Sequence, residues 1–266
     1  MGQPAVAALT PPPFDDLIFS DGEPLETDWH AIQFPYLWAL IREAMTEQGR
    51  SNFFVGGNMF VYYSAEQAWD VIEGRPYFRG PDVFFVDNVD PHPRPGWVSW
   101  EEGGRFPDVI VELLSPSTAR IDRTEKKDLY ARVFRTSEYF LYEPATLKLE
   151  GFRLQDLAYR PLTPAGNGRI WSERLGAFLG LWRGTVLGRE DQWVRLFRPD
   201  GSLVPSKDEW IEAERQRAEA ERQRAEAERQ RAEAERQRAE AERQRAESAE
   251  AELTRLRALL AERESG

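Results

Sequence analysis

Apolar residues along the chain change period several times, and each change marks an element. Leu37, Leu40, Ile41, Ala44 and Met45 fall at i, i+3, i+4, i+7 and i+8, the stripe of an amphipathic helix over residues 28–48. Thr27 or Asp28 can cap it, and Pro35 is expected to kink it or delay its start. The texture then becomes aromatic and β-branched. NFFVGGNMFVYY (52–63) reads as a strand with a bulge or bend at Gly56-Gly57, and PDVFFVDNV (81–89) and PDVIVELLS (107–115) read as two more. Between the last two, DPHPRPGWVSWEEGGRF has the Pro and Gly content of a surface loop.

A second helix is predicted from Asp122 to Phe134, with Leu129, Tyr130 and Val133 on its inner face and Ser117, Thr118 or Asp122 as caps. EYFLYEP, LKLEGFRL and LAYRPLT follow as consecutive strands, then RIWSERLGAFLGLWRGTV and QWVRLFRPDGSLV as further short strands, the latter with a Pro199-Asp200-Gly201 hairpin turn. Helix, three strands, helix, strand and meander together specify an α/β or α+β sheet. No G-x-G-x-x-G or P-loop motif occurs, so a doubly wound nucleotide-binding fold is not indicated.

The last part of the chain abandons this texture. AERQRAE recurs with a strict period of seven from Ala213 to Glu247. Its alanines are spaced five and two apart rather than three and four, so any coiled-coil seam is thin. Glu–Arg pairs at i, i+3 and Arg–Glu pairs at i, i+4 support a solvated helix. At Ala246, Ala249, Leu253, Leu256 and Leu260 the spacing becomes 3, 4, 3, 4, which fits a short coiled-coil tip for homo-oligomerisation or, alternatively, a lone solvated helix with no partner. The expected organisation is a flexible leader at 1–20, one globular domain at 21–208, and a charged heptad-repeat helix at 209–266.

Composition narrows the chemistry. The chain has no cysteine, which excludes disulfides, thiolate metal sites and cysteine nucleophiles. Neither a basic, apolar leader nor a membrane-length apolar run is present, so a cytoplasmic protein is expected. The net charge of −11 is not the basic footprint of a protein that coats DNA. Locally, however, Arg120, Arg123, Lys126, Lys127, Arg132 and Arg135 crowd the second helix.

The third strand carries Glu112 between Val111 and Leu113. A carboxylate among buried apolar neighbours costs several kcal/mol unless it is paired or metal-bound. Asp108 shares its face, but four residues of strand put roughly 13 Å between their Cα atoms. Asp82, opening the preceding strand, is the nearer candidate, about 5 Å away if directly opposite. Two carboxylates at strand ends suit a hard cation such as Mg²⁺ or Mn²⁺, and a lysine beside them can orient or deprotonate water and offset phosphoryl charge. Lys126 has the better phase to reach back than Lys127, because Tyr130 four residues later shares its face. His30 either approaches this site or caps the fold, and no role is assigned to it.

PDVFFV, PDVIVELLSPST and EKKDLYARVFRTSEYFLYEP, taken together, resemble the Uma-type restriction-endonuclease family, a divergent branch of the PD-(D/E)XK nucleases. The most specific piece is E-x-x-S-P-S-T followed by Glu-Lys and a tyrosine four residues past the lysine. The resemblance covers roughly residues 20–205. It implies a restriction-endonuclease-like mixed sheet flanked by helices, with additional strands, and a metal-dependent endonuclease acting on DNA. Asp82 matches the Asp of the motif and Glu112 its D/E. The superfamily's lysine two residues on is here Leu114, and Lys126 matches the position to which the Uma-type branch moves it. Asp108 matches a further family acid, as a second metal ligand or a structural cap. Arg120, Arg123 and Lys127 are the residues expected to hold nucleic-acid phosphates. The alternative is a catalytically silent nuclease fold serving as a nucleic-acid-binding or scaffold protein; a third is that the terminal helix is the functional part.

Overall fold

The computed structural model describes residues 9–19, 27–75 and 80–264. It forms two compact units, Met1–Ser206 and Lys207–Gly266. In chain order the strands are β1 (Phe53–Gly57), β2 (Val61–Tyr62), β3 (Val83–Asp87), β4 (Trp97–Val98), β5 (Val109–Leu113), β6 (Glu138–Glu143), β7 (Lys148–Gln155), β8 (Ala158–Pro161), β9 (Ile170–Ser172), β10 (Ala177–Val186) and β11 (Arg189–Phe197). Two regular helices precede the third strand pair: α1 (Asp28–Glu47) and α2 (Ala65–Ile72). Residues 119–134 form a crossover helix between β5 and β6, built from α3 (Ala119–Ile121), a π turn (Asp122–Lys126), α4 (Lys127–Leu129) and a second π turn (Tyr130–Phe134).

The main sheet has the order β1-β3-β5-β6-β7-β8. β5 and β6 are parallel, and the other pairs are antiparallel. The mixed α+β class expected from the pattern of elements is therefore the one formed. Strand alternation sorts the side chains into two layers. Odd-numbered residues such as Val83, Phe85, Val109, Val111 and Leu113 meet Leu37, Leu40, Ile41 and Met45 of α1. Even-numbered residues such as Phe84, Val86 and Ile110 meet Tyr130 and Phe134 of the crossover helix.

The far side of α1 is covered by the three-stranded sheet β11-β10-β9. Gln33, fully buried, joins them: its Nε2 donates to the Val194 carbonyl at 3.1 Å and its Oε1 accepts from the Val194 N–H at 2.8 Å. It replaces the strand that edge strand β11 lacks on that side. Trp29 stacks on Trp193 with ring centroids 5.9 Å apart. Packed on two sides, α1 tolerates Pro35 within its span, since Pro35 and Ala31, whose carbonyl loses its helical donor, are both exposed to water. Its start is capped by Thr27, which accepts from His30 N–H.

Several local expectations differ from what forms. The described leader residues are not loose: Leu17 is buried, Tyr62 Oη donates to the Ile18 carbonyl, and Trp69 Nε1 donates to the Thr10 carbonyl. Residues 1–8 and 20 of that leader lie outside the described part. The Pro-rich insert after β3 is not all surface, because Trp97 is fully buried between Phe54 and Phe84 with its indole N–H on the Arg105 carbonyl. α2 has no counterpart in the sequence reading. Gly56 and Gly57 make no bulge but pair regularly with Phe84 and Val83. Their lack of a side chain serves close approach: a Cβ on Gly57 would lie 2.5 Å from the Asp82 carbonyl.

The second unit is α5 (Lys207–Glu264), one continuous 58-residue helix. Its described side chains are exposed, and it carries i, i+4 pairs such as Arg243–Glu247. Among the described residues no helix is long and apolar enough to cross a membrane.

Replacing Gln33 by Leu strands two backbone groups of Val194 and should cost roughly 2–4 kcal/mol, measured as a lower urea midpoint with an unchanged slope.

Candidate active site

The β3–β5 register pairs Val83 with Val111. Continued by one residue, it sets Asp82 opposite Glu112, both facing the crossover helix. Asp82 is fixed from outside by Asn58, whose N–H donates to the Asp82 carbonyl at 3.0 Å, the approach that Gly57 leaves room for. Two exchanged bonds then tie the acids together: Asp82 N–H donates to Glu112 Oε2 at 3.3 Å, and Leu113 N–H donates to Asp82 Oδ2 at 2.6 Å.

β5 runs into Ser115-Pro116-Ser117-Thr118, where the Ser115 hydroxyl lies 2.9 Å from Ser117 Oγ and 3.0 Å from Thr118 Oγ1 and accepts from the Thr118 N–H. This knot turns the chain directly into the crossover helix, above Glu112. From that helix Lys126 Nζ reaches Glu112 Oε1 at 3.2 Å and Asp122 Oδ1 at 2.8 Å. Tyr130 Oη donates to the same Glu112 oxygen at 2.9 Å.

Asp122, Lys126 and Tyr130 can stand in one column because of the π turns. In an α-helix, residues four apart drift by about 40° per step and about 80° over two steps. A turn closed by i→i+5 bonds takes more residues, so a step of four falls short of a full turn and cancels that drift. The two π turns occupy the stretches 122–126 and 130–134 that frame the column.

Most of this is shielded from water, with Asp82 half-buried. Glu112 and Tyr130 are 0% exposed, Asp122 1%, and the Lys126 side chain 14%. Burial pushes the Glu112 carboxyl well above the usual carboxylate range; Lys126 opposes that shift, while Asp82 and Asp122 add to it. Burial raises Asp82 as well, with Lys126 the main counterweight. For Lys126, burial works against the ammonium, but the charges of Glu112, Asp122 and Asp82 outweigh it and hold the group above its ordinary value. In this arrangement it stands as a cation among the carboxylates.

Three carboxylates against one ammonium leave two negative charges in surplus if all ionise. That surplus, on oxygen donors alone, fits a hard divalent cation. Among the described residues no group of three or more His, Cys, Asp or Glu side chains is already spread into a ligand set, because the carboxylates face Lys126, Tyr130 and peptide N–H groups.

The other residues singled out in the sequence do not join this group. Asp108 stands at the opposite end of β5, where its Oδ2 accepts from Asp87 N–H at 2.9 Å and Arg174 lies 3.8 Å away. Its surroundings are those of a loop cap. Arg123 pairs with Glu150 and Glu143, and Lys127 lies 3.3 Å above the Phe152 ring. Arg120 is exposed, with Glu125 at 3.9 Å. Two participants were missed. The sequence offers Asp122 only as a cap, although its i, i+4 spacing to Lys126 is an ion-pair signal. His30 had no assigned place, and its Nε2 lies 3.1 Å from the Leu113 carbonyl.

The model of a family described as "Uma2: Putative restriction endonuclease" matches residues 12–187. Among solved structures, one described as a putative nuclease belonging to DUF820 from Anabaena variabilis matches at 13% identity and a TM-score of 0.40, covering 57% of this chain and 76% of that one. No curated protein matches.

Raised carboxyls give a definite pH signature. A folded-state value above the unfolded one means the contribution to stability is complete below the ordinary carboxylate range and is lost as pH rises through the folded value. For Asp82 and Glu112, both raised, the metal-free domain should therefore melt higher at about pH 5 than at about pH 7. Glu112→Gln should raise the melting point near neutrality by roughly 2–4 °C and shrink that difference. Calorimetric scans at both pH values test this, and an unchanged difference in the variant would refute it.

Proposed function

Because the chain belongs to the Uma2 family of restriction-endonuclease-like proteins, we propose that it is a Mg²⁺- or Mn²⁺-dependent endonuclease that hydrolyses DNA phosphodiester bonds. The observation that carries this reading is the meeting of Asp82 and Lys126 on the buried carboxylate of Glu112 at the carboxyl end of β5. Asp82 and Glu112 would hold the ion, and the Leu113 carbonyl beside them is a third oxygen of the kind such ions accept. The ion, when bound, supplies Lewis acidity toward a phosphoryl oxygen and a more acidic water.

The chain's own groups do the rest. Lys126, held protonated by its carboxylate neighbours, orients the attacking water and offsets charge gathering on the phosphoryl oxygens. Asp122 keeps the ammonium in place from the helix side, and Tyr130 fixes the Glu112 oxygen that Lys126 also contacts. Arg120 is the exposed cation beside the site, and with Arg123 and Lys127 it is assigned to phosphate contact. Asp108 is given a structural role at the other end of the strand. The leucine-bearing end of α5 is assigned to self-association.

A second reading, binding without cleavage, draws on two observations: the chain as a whole is acidic, and Leu114 occupies the position two residues after Glu112, the lysine coming instead from the crossover helix. Supercoiled plasmid with Mg²⁺ or Mn²⁺ separates the two readings, since only the first yields nicked and linear products.

Glu112→Gln and Asp82→Asn should abolish metal-dependent nicking while the fold persists. Lys126→Ala should lower kcat by about 100–1,000-fold. Asp108→Asn should nick at close to the wild-type rate. Single-turnover cleavage and circular dichroism check all four, and undiminished nicking by the Glu112 or Lys126 variant would remove the assignment.

A further inference from the structure

His30 sits in the first turn of α1, with both ring nitrogens engaged. Thr27 Oγ1 accepts from the His30 backbone N–H at 3.3 Å and lies 2.7 Å from Nδ1. The hydroxyl hydrogen is thus free to point at Nδ1, which accepts it. On the other side Nε2 is 3.1 Å from the Leu113 carbonyl oxygen. A carbonyl oxygen only accepts, so Nε2 carries the hydrogen and donates it. The tautomer follows from the partners on both sides.

That carbonyl stands where the sheet gives out. The last β3–β5 pair is Val83 with Val111, and Leu113 is 3% exposed. A buried carbonyl there needs a donor, and α1 supplies one in place of a strand. Leu113 also presents its N–H to Asp82 Oδ2 and directly follows Glu112. The two backbone groups of one residue therefore join His30 on α1 to the acid of β3, across the residue that bears the second acid.

We infer that His30 is a positioning residue for the site proposed above: locked by Thr27, its Nε2–H aims the Leu113 carbonyl and sets the end of β5 on which Glu112 and the Asp82 contact depend. This rests on the nuclease reading for its catalytic consequence, though not for its geometry. A purely structural histidine would contribute only to melting temperature. A positioning one would affect turnover and ion affinity while leaving DNA affinity alone, because His30 touches neither the exposed arginine nor the outer face of the crossover helix.

The test compares wild type with His30→Ala, His30→Gln and Thr27→Val in the full chain, by three readouts. These are kcat and KM on duplex DNA with Mg²⁺, Mn²⁺ affinity by titration calorimetry without DNA, and the ¹³C shift of the labelled Leu113 carbonyl without metal. His30→Ala should lower kcat and Mn²⁺ affinity by about 10–100-fold, leave KM unchanged, and move the carbonyl shift. His30→Gln, whose amide can donate to the same oxygen, should restore much of each, and it carries the test should the alanine variant not fold. Thr27→Val, which frees the ring, should fall between. Variants that melt lower yet keep wild-type kcat and Mn²⁺ affinity overturn the inference. Should wild type neither cleave DNA nor bind Mn²⁺, the nuclease reading falls, and the carbonyl shift alone decides: no movement in His30→Ala overturns the positioning role too.

Discussion

Two buried carboxylates and one half-buried one share one ammonium, and the charge balance of that group organises the domain around it. Asp82, Glu112 and Asp122 come from two strands and a helix, and Lys126 is the cation they have in common. Separating the crossover helix from the sheet would leave the acids uncompensated in a dry interior, where a lost partner is far more costly than a surface ion pair. Conversely, the pair is imperfectly neutralised as it stands, and burial leaves both sheet carboxyls reluctant to ionise.

The rest of the domain can be seen as the frame that keeps this group dry and aligned. α1 is clamped between two sheets by Gln33 and by the Trp29–Trp193 stack, so its first turn is rigid where it meets β5. Gly57 lets β1 crowd the Asp82 backbone, and the Ser115–Thr118 knot fixes where the crossover helix begins. The opposite end of β5 uses the same strand for a different purpose: Asp108, Asp87 and Arg174 tie loops together there. One strand thus carries a chemical end and a structural end.

Much of this was legible in the residues. Alternation and the 3.6 period located α1, the crossover helix and most strands, because each of those elements buries one face. The displacement of Glu112 from the apolar pattern, its distance from Asp108 along the strand, and the spacing of Lys126 and Tyr130 pointed to the elements that meet. What escaped reading has a common cause, namely dependence on contacts distant in sequence. Trp97 looks like loop until Phe54 and Phe84 enclose it, and the described leader is held by Tyr62 and Trp69. His30 acquires a purpose only when the Leu113 carbonyl runs out of strand. The π turns were invisible for another reason: their residues have ordinary helix propensities, and only the competing demands on 122, 126 and 130 unwind them.

Those π turns bear on how the protein can change. Each is a helix holding more residues per turn than its neighbours, the form an α-helix takes when one residue is inserted and absorbed in place. Most single substitutions along 119–134 leave that register alone. Loss of one codon would not, for the helix could close up as regular α and rotate every later side chain by about 100°. Tyr130 and Lys126 would then part company while the domain kept its outline. The placement of Lys126 is thereby more sensitive to indels than to point changes, a bias that comparison of deletion and substitution libraries across this helix would make visible.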